Sequence, residues 1–310
     1  MTTLVGYVKV SDYMNLKNLL KNMYADPAIH NEYARVTEKE KTPGHYATHD
    51  MTHVNRVIGY SEQVARQLRL PEEDILAIKI TALLHDIGCS SGFKGKGGHA
   101  ERSFEWSTGY LQDKNINVDV RAKILTAIKE HSDNPTTLYG KVLMFADKID
   151  LCEERILPEG LLVAGNRQYA NIQSVDFGIE NKSLEVTFKT NGNLDIDEMN
   201  KYYFTRKMLQ SVEDLAVHFG LQHAVSLDGQ AMQKQNNDGH WNDLYQKEVT
   251  TQYDSWDNYL REKVKLKHNF LKLIARNARL DKPIFRGGFG NWQGFCLLCF
   301  ARLQGIRHGY

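Results

Sequence analysis

The stretch that most constrains this fold is residues 81–90, TALLHDIGCS, where an apolar helical run ends on two adjacent polar side chains. These are His85 and Asp86. Burying a polar or charged group without a partner costs several kcal/mol, on the order of 2–7 for a neutral group alone. A stable fold of this chain must therefore bring partners to this doublet from elsewhere in the sequence.

The flanking residues predict a helical framework around the doublet. Pro71 and the acidic residues after it are typical of a helix start, and Gly88 is typical of a helix end. The doublet then lies in the last helical turn, beside the following loop. Apolar residues with a period near 3.6 predict further helices. They cover residues 11–24, 53–70, 99–111, 119–131, 138–156 and 197–220.

Two segments alternate in the manner of strands, SVDFGIE and SLEVTFKT, on either side of Asn181-Lys182. They predict a small β-hairpin. Residues 227–240 are polar, amide-rich and without periodicity, which predicts a linker. We therefore expect a mainly α domain over residues 1–226 with a β-hairpin insertion, then the linker, then a separate, short α/β-like segment over residues 241–310.

Composition narrows the classes of function. The 39 basic and 38 acidic residues give a formal charge of +1, which argues against nucleic acid as a partner. No apolar run has spanning length and the first residues do not form a signal peptide, so we expect a soluble, cytoplasmic protein without a membrane partner. The cysteines predict reduced thiols, and Cys296-x-x-Cys299, in an apolar run, favours core packing over metal binding.

Six histidines and aspartates fall at helix ends or on inward-facing stripes. Imidazole and carboxylate groups bind Zn, Mn, Fe, Ni or Co, and their mixture does not choose among these metals. A carboxylate next to a ligating histidine can also bridge two ions about 3.5–4 Å apart. For His99 and His131, a structural role without metal binding stays open. The six are His53, His85, Asp86, His99, His131 and Asp147.

The order H, HD, H, H, D and the residues around it resemble the HD-domain superfamily. The matching segments, within residues 49–155, are HDMTHVNRV, ALLHDIG, GGHAERS, IKEHS and LMFADKIDLCEER. The resemblance implies a helical bundle with a divalent-metal site. It implies His53, His85, Asp86 and Asp147 as core ligands, with His99 and His131 added in the two-metal branches, where the doublet aspartate bridges the ions.

Two positions depart from the branch that cleaves cyclic dinucleotides. Ser132 stands where that branch has a second consecutive histidine, and Cys89 stands where its HDIGK motif has lysine. Cyclic-di-GMP is therefore not the expected substrate. Next to the first ligand, His49 and Asp50 are interpreted as a helix cap or as support for the ligands.

The expected activity is hydrolysis of a phosphate ester or anhydride, most plausibly in a nucleotide, by a metal-activated water at a dinuclear site centred on Asp86. Lys94, Lys96 and Lys148 are candidates to neutralise phosphate charge. The first two lie in the glycine-rich loop SSGFKGKGG, which lacks the Walker pattern and is either a solvated loop or a lid. Lys148 and Asp150 either orient substrate or ligands or lie on a solvated helix face.

Two other classes of function stay open. Some relatives are di-iron oxygenases that use the same ligand order to activate dioxygen, which is the second hypothesis. The third hypothesis is a non-catalytic module that senses a nucleotide. The residues do not determine the substrate, the native metal or the number of ions. They also leave the oligomeric state open, with a homo-oligomer as one of the alternatives.

The last segment, residues 241–310, contains KPIFRGGFGNWQGF, which resembles the first motif of S-adenosylmethionine-dependent methyltransferases. Gly288 and Gly290 match that motif, but Arg286 occupies the acidic position and Trp292 replaces the last glycine. No second strand follows to supply the acid that holds the ribose. A working cofactor site is therefore not expected in this segment.

Overall fold

The computed structural model describes residues 10–42, 44–91, 98–132 and 134–232. All of them lie within the first of the two units into which the chain divides, Met1–Leu244 and Tyr245–Tyr310. The predictions for Lys94, Lys96, Cys296-x-x-Cys299 and the methyltransferase-like segment concern residues outside these ranges, and they stay predictions.

Helices make up most of the described part, so the predicted mainly α fold is confirmed. They are α1 (Val10–Met23), α2 (Pro27–Glu40), α3 (Met51–Gln67), α4 (Glu72–Leu84), α5 (His99–Leu111), α6 (Val118–Glu130), α7 (Leu138–Lys148), α8 (Ile196–Lys201) and α9 (Tyr203–His218). Short 3₁₀ turns follow α4 and α7. Within the described ranges, no helix combines the length and apolar character needed to cross a membrane.

Helix α4 is the centre of the bundle. It contacts α1, α3, α6 and α7, and nearly all of its second half is buried, as expected for a helix that is apolar on every side. The buried residues are Ile75, Ala77, Ile78, Ile80, Thr81, Ala82, Leu83 and Leu84. Because α4 runs through the core, it delivers the His85-Asp86 doublet to the interior of the domain.

Two predicted helices are shorter than expected. The helix over residues 138–156 ends at Lys148, because Arg155 turns back and its Nη1 donates to the carbonyls of Asp147 and Asp150, at 3.3 and 3.0 Å. The helix over residues 197–220 breaks into α8 and α9 at Tyr202, whose backbone is extended (φ −80°, ψ 134°).

Helix α2 was missed in the sequence because its apolar stripe is sparse. Ile29, Tyr33 and Val36 are its buried apolar residues. Its start is nevertheless marked, since Asp26 caps the first turn by accepting from the Ala28 amide at 2.9 Å and Pro27 occupies the first helical position.

Tyr33 links α2 to the end of α4, since its buried hydroxyl donates to the Leu83 carbonyl at 2.7 Å. We expect Tyr33→Phe to lower the free energy of unfolding by about 1–2 kcal/mol, because it leaves that buried carbonyl without its side-chain donor. Urea unfolding would measure the loss. Tyr24→Phe, at a tyrosine that is 38 % exposed, is the control, and equal losses in the two variants would contradict the prediction.

The predicted β-hairpin is confirmed, but it belongs to a larger sheet. Strands β1 (Ile172–Glu180), β2 (Ser183–Thr190), β3 (Gln222–Leu227) and β4 (Gln230–Ala231) lie in that order. β1 and β2 are antiparallel, β2 and β3 parallel, and β3 and β4 antiparallel. Asn181 and Lys182 both have positive φ, as a two-residue hairpin turn requires.

The predicted linker over residues 227–240 begins too early. Leu227 is the last residue of β3 and is buried, and the turn at Asp228 and Gly229 leads into β4. β3 and β4 are too short, and β4 is too polar, to give the alternation of apolar and polar residues that is typical of a strand. Residues beyond Met232 lie outside the described ranges.

Candidate metal centre

The structure brings the six predicted side chains together at the end of α4. Each stands at or next to a helix end. His53 lies in the first turn of α3, His85 and Asp86 directly follow α4, His99 begins α5, His131 directly follows α6, and Asp147 lies in the last turn of α7. All are buried except His99, which is half-buried.

Asp86 lies at the centre of this cluster, with histidines on both of its oxygens. Its Oδ2 is 3.1 Å from His85 Nε2 and 3.5 Å from His53 Nε2. Its Oδ1 is 3.4 Å from His131 Nε2 and 3.6 Å from His99 Nε2. One carboxylate therefore faces two separate groups of imidazole nitrogens.

The side chains form two sets that share this carboxylate. In each set, one possible ligand atom per residue lies within 4.8 Å of all the others. The first set is His53, His85, Asp86 and Asp147, and the second is Asp86, His99 and His131. This is the arrangement that two neighbouring ions with a bridging carboxylate require.

Two buried atoms indicate that the residues fit metal ions. Within the described part of the chain, His85 Nε2 and Asp86 Oδ1 are buried and have no hydrogen-bond partner. Such atoms are costly to bury unless something satisfies them. A cation in each of the two sets would satisfy these atoms, since nitrogen and carboxylate oxygen are ordinary ligands of such ions.

The outer nitrogens of three histidines are already occupied. His85 Nδ1 is 2.8 Å from the Ala82 carbonyl, and His131 Nδ1 is 2.7 Å from the Ile128 carbonyl. His53 Nδ1 is 2.6 Å from Asp150 Oδ2. A carbonyl or carboxylate acceptor places a proton on Nδ1, so that Nε2 is the nitrogen directed at the centre of the cluster.

Asp150 holds His53 in place and is itself held by Arg56, which donates through Nε at 2.6 Å and through Nη2 at 3.2 Å. Burial would raise the pKa of Asp150, but the hydrogen bond from His53 and the charges of His53 and Arg155 lower it to about 2. Of the two interpretations of Asp150, the structure supports a role in orienting a ligand.

Two cations lie beside Asp147. Lys148 Nζ is 2.5 Å from its Oδ2, and Arg155 Nη2 is 3.5 Å from its Oδ1. Burial would raise the pKa of Asp147, but Lys148, the hydrogen bond to His53 and Arg155 hold it well below its usual range. Lys148 is buried, so the interpretation as a solvated helix face is wrong.

The charge balance of the cluster ties metal binding to proton release. Burial and Arg155 would lower the pKa of His53, but hydrogen bonds to Asp147, Asp150 and Asp86 raise it to about 9. Burial would also raise the pKa of Asp86, but its histidine neighbours, His85 first, hold it well below its usual range. Since a ligating imidazole nitrogen must be deprotonated, an ion held by His53 would take the place of this proton.

The residues before α3 match the predicted cap. Asp50 accepts from the backbone amides of Thr52 and His53, at 2.9 and 3.1 Å. His49 does not cap. Its Nδ1 lies 2.8 Å from an oxygen of the buried Glu40, which fixes the ring beside the cluster.

Gly88 joins the doublet to α5. Its amide donates to Ser103 Oγ at 2.9 Å, and Arg102 Nε donates to its carbonyl at 2.9 Å. A Cβ at this position would lie 2.2 Å from the Ser103 nitrogen, so a side chain would force the backbones apart. The glycine was predicted as a helix stop, but α4 already ends at Leu84 and Gly88 is needed for close packing.

The two positions that depart from the cyclic-dinucleotide branch lie beside the cluster. Ser132 Oγ is 3.0 Å from His99 Nε2, so a hydroxyl contacts the half-buried histidine. Burial raises the pKa of the Cys89 thiol well above its usual range. Lys39 donates to the Cys89 carbonyl at 2.6 Å, so α2 brings an ammonium group to this side of the cluster.

Comparison with known proteins gives a family match over part of the chain. Residues 51–152 match the family model of the HD domain. No curated protein matches the chain significantly. A crystal structure of a "predicted HD superfamily hydrolase" from an uncultured Thermotogales bacterium is 26% identical, covering 46% of this chain and 67% of that one, with a TM-score of 0.30. That superposition is too loose for the two sites to be compared.

A cleft of about 300 Å³ opens beside the cluster and is lined partly by residues that follow position 152. Basic side chains and aromatic rings from residues 169–204 line it, together with the acidic side chains of Glu40 and Asp150. The volume lies at the small end of ordinary ligand sites, which is roughly 300 Å³. Residues that line it include Lys39, His49, Cys89, His99, Arg102, Arg155, Asn166, Tyr169, Tyr202, Tyr203 and Phe204.

Sequence reasoning missed several of these residues. Arg155, Lys39 and Arg102 give no signal beyond that of ordinary surface charges, and only the fold shows that Arg155 and Arg102 are buried. Tyr202, Tyr203 and Phe204 lie in a part of the sequence that was interpreted only as the start of a long helix, and Tyr169 was assigned to no element. The break at Tyr202, where two tyrosines and a phenylalanine adjoin, would have been the signal to look for.

Proposed function

We propose that this protein is a metal-dependent phosphohydrolase that cleaves a phosphate ester or anhydride of a nucleotide. The observation that carries the proposal is the position of Asp86, whose two oxygens face separate pairs of histidines. A carboxylate shared in this way fits a dinuclear hydrolase.

The two sets of possible ligand atoms determine which residues would bind each metal ion. One divalent ion would bind His53, His85, Asp86 and Asp147, and the other Asp86, His99 and His131. When bound, such ions polarise a phosphoryl oxygen and lower the pKa of water, so that hydroxide is available near neutral pH. Mn, Fe, Ni, Co and Zn all suit these ligands.

Charged residues around the ligands offset the charge of the aspartates and supply positive charge for the substrate. Lys148 and Arg155 offset the charge of Asp147, at 2.5 and 3.5 Å, which favours the ionised form of this buried carboxylate. Lys39 and Arg102 line the cleft and bring positive charge to it, which suits an anionic phosphate group. Lys94 and Lys96 remain predicted phosphate contacts.

The proposal is tested by anaerobic assay of the full-length chain loaded with manganese. We expect phosphate release from at least one member of a panel of nucleoside mono-, di- and triphosphates, and loss of activity on chelation. A substrate turned over only with iron and with consumption of oxygen would make the protein an oxygenase. No turnover with Mn, Fe, Ni, Co or Zn would favour the sensing module instead.

A further inference from the structure

Four aromatic residues line the cleft, and we call them the aromatic wall. They are Tyr169, Tyr202, Tyr203 and Phe204. The Tyr202 and Tyr203 ring centroids are 4.8 Å apart, and those of Tyr169 and Tyr202 are 5.8 Å apart. Tyr203 is 38 % exposed, whereas Tyr169 and Tyr202 are buried. All four lie after the HD-domain match, so this wall is a feature that the family match does not explain.

The aromatic wall is held rigidly. The Tyr169 hydroxyl is 2.8 Å from Thr205 Oγ1, which also donates to the Met199 carbonyl at 2.6 Å. Gly165 has a positive φ of 80°, and a Cβ there would lie 2.4 Å from Tyr202 Cβ. Only glycine fits this close approach, so the backbone at Gly165 packs directly against Tyr202. A rigid wall loses little entropy when a ligand binds.

The aromatic wall reaches the candidate metal centre through one side chain. Lys148 Nζ lies 5.3 Å from the centroid of the Phe204 ring and 2.5 Å from Asp147 Oδ2. Phe204 is therefore the residue of the aromatic wall that one side chain connects to the candidate metal centre. Lys39 and Arg102 line the same cleft. The cleft thus offers basic groups that suit an anion and aromatic rings that suit a flat apolar surface.

From this arrangement we infer that the aromatic wall binds the planar ring of the substrate, so that the protein selects small phosphate compounds that carry such a ring. Tyr203 provides the accessible face, Phe204 the end near the metal centre, and Tyr202 the support behind them. Stacking on aromatic side chains suits any flat heterocycle, because each has a π-face. The cleft of about 300 Å³ lies at the small end of ordinary ligand sites, which suits a ligand of the size of one nucleotide. This inference rests on the proposed function for its phosphate end.

Binding measurements test the inference separately from catalysis. Calorimetry on the metal-free 310-residue chain would compare adenosine 5′-monophosphate with ribose 5-phosphate, which has the same phosphate and sugar but no planar base. We expect the base to tighten binding about tenfold or more, and Tyr203→Ala to remove most of that difference. Tyr203→Phe should retain it, since the ring face is kept.

The control variant is Tyr24→Ala, at a tyrosine of equal exposure that does not line the cleft. It should leave both affinities unchanged. Equal affinities for the two compounds in the unsubstituted chain would overturn the inference, as would an adenosine preference that survives in Tyr203→Ala. Failure of the manganese assay would instead count against the proposed function, because the calorimetry requires no turnover.

Discussion

Asp86→Asn is expected to lose both the second metal ion and catalysis. The substitution keeps the shape of the side chain but removes the negative charge that faces four imidazole nitrogens, at 3.1 to 3.6 Å. Without it, two cations in neighbouring positions lose their shared anionic ligand. We expect kcat/KM to fall by about 10³-fold or more, which corresponds to several kcal/mol of transition-state stabilisation.

Metal content and activity should be measured on the same preparations. Mass spectrometry of protein purified without added metal gives the number of ions per chain, and phosphate release gives kcat/KM. Asp113→Asn is the matched control, because Asp113 is exposed in the turn after α5. A fully active Asp86→Asn variant with two ions per chain would contradict the proposed role of this carboxylate.

Asp150→Asn is expected to weaken metal binding by about 10- to 100-fold, although Asp150 is not itself a ligand. Its carboxylate accepts from His53 Nδ1 at 2.6 Å and holds the ring with Nε2 toward the centre. An amide at this position removes the charge that makes the imidazole a stronger ligand. It also leaves Arg56 without the carboxylate that receives two of its N–H groups.

The affinity is measured by competition with a chromophoric chelator. Glu154→Gln is the control, because Glu154 contacts the same arginine at 3.2 Å but is 77 % exposed. That variant should bind metal normally, since an exposed ion pair contributes little. Circular dichroism confirms that Asp150→Asn is folded. An affinity equal to that of the unsubstituted chain would show that Asp150 does not position His53.

The sequence was sufficient to predict the helical framework and to gather the six polar residues into one set. This was possible because each ligand stands at a helix end, where the 3.6-residue pattern breaks off on a histidine or aspartate. His131 is an example, since it follows the buried residues Ile124 and Ile128 of α6. Helix ends of a bundle meet, so residues at those ends are candidates for a common site.

The groups that support the ligands were beyond the reach of pattern reasoning. Arg56 and Asp150 are 94 residues apart, and no local signal relates them. Arg155 follows a helix that appeared longer in the sequence than it is. The aromatic wall depends on a break between α8 and α9 that the apolar periodicity does not register. Such long-range contacts arise only when the whole chain has packed.

The placement of the ligands on five separate elements makes any bound ion a cross-link of the native chain. His53 and Asp147 stand far apart in the sequence, yet their ligand atoms share one set. The unfolded chain does not present that set, so an ion that binds it shifts the folding equilibrium toward the native state. The amount of folded protein, and its survival against proteases, would then rise and fall with the metal supply of the cell.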